Sequence, residues 1–196
     1  MKTLTIYYTS KPTIAKCYYV IVIHIICLNL SDNKIYIKSD ENIKLLAEME
    51  EQFENKNEQY FKNFLNHNNN IIRTRAVCIL SDIARENAVE PISQVLKNDK
   101  DVLVRHEAAF SLGQLGYTSA IKALSKSVKS DPSFFVRHEA AIALGVIGSE
   151  KARKVLNQAL NDESAEVRGS AIIALANIDY MSTMKRNNKF TRMTGG

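Results

Sequence analysis

Four stretches of this 196-residue chain repeat one another without gaps: IRTRAVCILSDI from Ile72, VRHEAAFSLGQLG from Val104, VRHEAAIALGVIG from Val136 and VRGSAIIALANI from Val167. Their starts lie 32, 32 and 31 residues apart. A unit of that length cannot bury its own apolar face, and it becomes stable by stacking on copies of itself. No other feature constrains the chain as much, because a fold built from such units has to be an array.

The local chemistry of each unit is helical. Asn69, Asp101, Ser133 and Ser164 stand three residues before each start. All are residues whose side chains accept hydrogen bonds from the free N–H groups of a first helical turn. Behind them Ile72, Ala76, Leu80 and Ile83 recur at steps of four, four and three. So do Val104, Ala108, Leu112 and Leu115, then Val136, Ala140, Leu144 and Ile147, then Val167, Ala171, Leu175 and Ile178. Those steps keep one apolar stripe on one helix face. Gly116 and Gly148 stand where a left-handed stop is expected. Between the motifs a second helix keeps the same register: Ala88, Ala120 and Ala152, then Ile92, Leu124 and Leu156, then Leu96, Val128 and Leu160. Ser81, Gly113, Gly145 and Ala176 share one position, all small, which predicts close approach of a neighbouring helix. Seven Gly and three Pro supply little punctuation for a many-stranded sheet. The fold class expected is all-α, an α-solenoid of about four helical hairpins.

The flanks read differently. Residues 41–180 form the expected repeat domain, with Leu45, Leu46, Met49 and Phe53 marking a capping helix before the first unit. Residues 1–40 are an extension. Its apolar run from Cys17 to Leu30 is shorter than the ~20 residues a spanning helix needs. The run reads as a strand, and a start at Met49 would remove it altogether. Residues 181–196 read as a basic disordered tail ending in Gly195-Gly196.

The formal charge of +5 belongs to those flanks: Lys185, Arg186, Lys189 and Arg192 in the tail, and five lysines against Asp32 and Asp40 in residues 1–40. The body is left mildly acidic, which does not support a basic groove for nucleic acid. Cys17, Cys27 and Cys78 are too few for a disulfide framework or a thiolate zinc site. Their small number makes the reducing cytoplasm the expected location, and the short apolar run with no cleavage site after it argues against a membrane role. Cys78 shares the register of Phe110 and Ile142 and is expected to be a small core residue.

His106-Glu107 and His138-Glu139 suggest more than scaffolding. They stand 32 residues apart at equivalent points, where unit one has Thr74-Arg75 and unit four Gly169-Ser170. Neighbouring helix axes lie ~8–10 Å apart, so side chains from two of them can meet. Two imidazoles and a carboxylate are a ligand set of non-haem iron(II) centres. A metal site requires the two imidazoles to converge. The competing reading is a duplicated surface pair on the concave face of a metal-free scaffold for protein–protein interaction. His24 and His67 read as incidental.

These motifs resemble one half of deoxyhypusine hydroxylase and, more broadly, the bilin-lyase-type HEAT-like repeats. In that hydroxylase each half has four repeats, and the inner two carry His-Glu. The resemblance implies a dioxygen-dependent monooxygenase that hydroxylates a modified lysine of a protein substrate at a di-iron centre between two halves. It assigns His106, His138 and Glu139 as iron ligands and places Glu107 at the same centre, nearer to substrate, as the catalytic candidate. With only one half present, a homodimer would be needed to rebuild a di-iron site.

Overall fold

The computed structural model describes residues 40–186, and the apolar run at Cys17–Leu30 and the Gly-Gly end lie outside them. All regular structure among the described residues is helical: α1 (Asp40–Glu54), α2 (Glu58–Phe64), α3 (Asn70–Ala84), α4 (Val89–Asn98), α5 (Val102–Leu115), α6 (Ile121–Ser130), α7 (Phe134–Ile147), α8 (Arg153–Ala159) and α9 (Ala165–Arg186). Short 3-10 turns at Arg85–Ala88, Thr118–Ala120 and Glu150–Ala152 lead into α4, α6 and α8. The compact unit that carries the repeats begins at Glu51. The last helix runs to Arg186, into the segment expected to be a tail. None of these helices is long and apolar enough to cross a membrane.

The repeat unit is the hairpin the register predicts. Helices α2 and α3, α4 and α5, α6 and α7, and α8 and α9 pack in pairs, and α3, α5, α7 and α9 then stack in order as one layer. The stripe lies at their junction: Ile72, Ala76, Leu80, Val104, Ala108, Leu112, Val136, Ala140, Leu144, Val167 and Ala171 are wholly buried. Each fully buried Leu or Ile contributes about 1.5–3 kcal/mol, so the stacked layers carry the fold. Cys78 is buried as expected, but it is disulfide-bonded and not a free thiol. One register assignment slips. Leu160 is half-exposed at the end of α8, and Ala159 is the buried residue. The last unit is one residue shorter, so the position of Leu96 and Val128 falls on Ala159.

The small residues act as expected at two positions. A Cβ on Gly113 would lie 2.8 Å from the Ala143 Cβ, and one on Gly145 would lie 2.7 Å from the Ala174 Cα. Gly116 and Gly148 end α5 and α7 with φ of 72° and 64°. Asn69 and Asp101 cap their helices through the side chain, whereas Ser133 does not.

A ladder of ion pairs links the successive units. Arg73 grips Asp99 with Nε and Nη2 at 2.7 and 2.9 Å, Arg105 grips Asp131 at 2.8 and 3.0 Å, and Arg137 grips Asp162 at 2.9 Å through both nitrogens. Each aspartate also accepts the backbone N–H two residues on, at Asp101, Ser133 and Ser164. Arg105, Arg137 and Arg168 donate Nη1 to the main-chain carbonyls of Asp99, Asp131 and Asp162. Such bidentate, largely buried pairs fix the turn of one unit to the motif helix of the unit before.

Candidate metal centre

The His-Glu pairs sit in the first half of α5 and α7, with the histidines turned toward the next helix of the stack and Glu139 toward the one before. His106, Glu107 and Glu139 are buried and His138 is half-buried. His106 stacks on the Phe135 ring of α7, centroids 4.1 Å apart and planes 12° from parallel. Its Nε2 lies 3.3 Å from the Glu139 Oε2. Glu107 accepts a long 3.4 Å bond from the Ser111 hydroxyl one turn along α5. Burial above all, and the nearby charge of Glu139, push the Glu107 carboxyl up to about 7 against the relief given by Ser111.

His138 does not join this group. Its Nδ1 lies 2.7 Å from the Ser170 Oγ and 3.4 Å from the Glu166 carbonyl oxygen, both on α9. The expected convergence of two imidazoles is replaced by a rule across the stack. The histidine of one unit meets the residue at the glutamate position of the next: His106 meets Glu139, and His138 meets Ser170. The physical reason is that consecutive residues on a helix point about 100° apart. The helix following each histidine therefore presents its glutamate position to that ring.

Among the described residues no three His, Cys, Asp or Glu side chains stand together so as to hold a metal ion. Two of the four candidates do fit one. A buried imidazole nitrogen and carboxylate oxygen 3.3 Å apart are close to the separation of two donors sharing an ion at bond lengths of about 2.1 Å. Nitrogen and oxygen donors without thiolate suit iron(II).

Phe135, Ser170 and the Arg–Asp ladder were not singled out from sequence. Ser170 was visible in the alignment as the residue in the glutamate register. The ladder was visible too, since Arg73, Arg105, Arg137 and Arg168 take the second motif position and Asp99, Asp131 and Asp162 recur with them.

The sequence pattern described as HEAT repeats matches residues 58–145 and 129–185, most of the chain. The chain belongs to the HEAT-repeat family. Among solved structures, this HEAT-repeat chain is similar to human deoxyhypusine hydroxylase in complex with glycerol, at 25% identity and a TM-score of 0.60. The likeness covers 77% of this chain and 51% of that one, so the chain spans about half the length of the hydroxylase. It is a deoxyhypusine-hydroxylase-like half in fold. No curated protein matches it by sequence.

Proposed function

We propose that this HEAT-repeat protein is a non-haem iron, dioxygen-dependent hydroxylase of a lysine-derived side chain on a protein substrate, acting in the cytoplasm as a homodimer. The observation that carries this reading is the buried His106–Glu139 pair with Glu107 beside it, set in a fold shared with half of a hydroxylase. Iron(II), when bound, supplies the dioxygen chemistry that hydroxylates an unactivated carbon. His106 and Glu139 would hold it, and Glu107 and His138 would complete the donor set only by turning toward it. Phe135 covers one face of the His106 ring and keeps water from it. A Glu107 carboxyl titrating near 7 exchanges a proton at working pH, and in its charged form it attracts a cationic substrate side chain. A second chain offering the same layer of helices would bring two such centres together, and the protein substrate would enter between them.

One observation favours the alternative of a metal-free protein-binding scaffold: His138 is already satisfied by Ser170 and Glu166. Metal content and mass in solution separate the two readings. About one iron per chain in a dimer is expected, lost in His106→Ala and His138→Ala with helicity intact. Iron retained by both variants, or a metal-free monomer in the wild type, defeats the hydroxylase and leaves the scaffold.

A further inference from the structure

The contacts of His138 have a consequence for how it could bind anything. Two oxygens face its Nδ1, and one of them carries a proton of its own. The Ser170 hydroxyl donates to the Glu166 carbonyl oxygen at 2.9 Å, one turn back on its own helix. That use of its single proton turns the oxygen's lone pairs toward Nδ1 at 2.7 Å. The same carbonyl oxygen faces Nδ1 at 3.4 Å. A bare Nδ1 would have to draw the hydroxyl proton away from the Glu166 carbonyl and would still face that carbonyl's lone pairs, whereas a protonated one donates to the hydroxyl and leaves its bond to Glu166 intact. Nε2 makes no hydrogen bond to any described residue and is then the basic nitrogen.

We infer that Ser170 is a positioning residue that fixes His138 as its Nδ1–H tautomer, so that His138 can take a metal ion or a proton only through Nε2. Unit four carries Gly169-Ser170 in place of a His-Glu pair, yet the residue at its glutamate position serves the histidine of unit three. Ser170 is buried, so its hydroxyl cannot simply turn to water. Histidines that bind metal are commonly held this way, with the second nitrogen donating to a fixed oxygen. The metal part of this inference rests on the iron reading above, and the tautomer part does not.

The test is nitrogen-15 NMR of the histidine rings in metal-free full-length protein at about pH 8, above the ordinary imidazole range. His138 is expected in the Nδ1–H form in the wild type and in Ser170→Thr, which keeps the hydroxyl. Ser170→Ala is expected to release the ring toward the Nε2–H form favoured by free imidazole. Finding Nε2–H in the wild type, or no change in Ser170→Ala, overturns the inference. Titration with cobalt(II) as the probe metal provides the second measurement. Ser170→Ala is expected to bind it roughly 10–100-fold more weakly, with Ser170→Thr restoring affinity. Unchanged or tighter binding by Ser170→Ala overturns the positioning role. A wild type that binds no cobalt but shows the expected tautomers defeats the iron reading and leaves the tautomer assignment standing.

Discussion

Between α5 and α7, Gly113 lies against Ala143, and between α7 and α9, Gly145 lies against Ala174 at the same spacing. The two seams share a backbone design and an arginine ladder, but their polar contents differ. The first encloses an imidazole, two carboxylates and a stacked phenyl ring. The second holds an imidazole, a hydroxyl and a main-chain carbonyl. Packing therefore does not dictate chemistry here. The repeat fixes how closely helices approach, and one variable position per helix, Glu139 or Ser170, decides whether the seam carries charge.

The largest expected effect tests what the seams share. Arg105→Ala leaves the Asp131 carboxylate, only 5% exposed, without its partner, and is expected to cost about 3–5 kcal/mol in denaturant melts. Arg137→Ala should cost less, because Asp162 on the second seam is 12% exposed and better hydrated. Equal losses would break the account of graded burial.

The next effect belongs to the first seam alone. The Glu107 carboxyl rises from 4.5 to about 7 on folding, so between those values the folded chain binds more protons than the unfolded one. Its contribution is full below pH 4.5 and is lost as pH rises through about 7. Stability should fall by up to about 3 kcal/mol across that window, as read by denaturation at a series of pH values. Glu107→Gln should flatten the curve, and a variant that keeps the slope would assign it elsewhere.

The smallest effect sharpens the comparison at the backbone. Gly113→Ala and Gly145→Ala each force a Cβ against a facing helix. Each should cost about 1–3 kcal/mol despite the helix propensity gained. In ring NMR the first should disturb His106 and spare the His138 signals, and the second should do the reverse. Coupled changes at both rings would mean that the seams are one unit.

Much of the fold was legible because its determinants lie along single helices. The stripe from Val104 to Leu112, the cap at Asp101 and the left-handed stop at Gly116 all follow from spacing and residue type. The candidate residues were legible as types: His106, Glu107, His138 and Glu139 lie in one layer of the stack. Their partners were not. A dipeptide such as His106-Glu107 looks like one pair, yet its members diverge around the helix, and Glu107 gains its raised carboxyl from burial that no spacing reveals.

The sequence by itself determined the repeat, its register, its core and the glycines that admit close packing, since each depends on periodicity within one segment. Only the tertiary structure decided that His106 faces Glu139 while His138 faces Ser170. That choice depends on the rotation and offset of one helix against the next, which packing across the whole stack sets and no single repeat encodes.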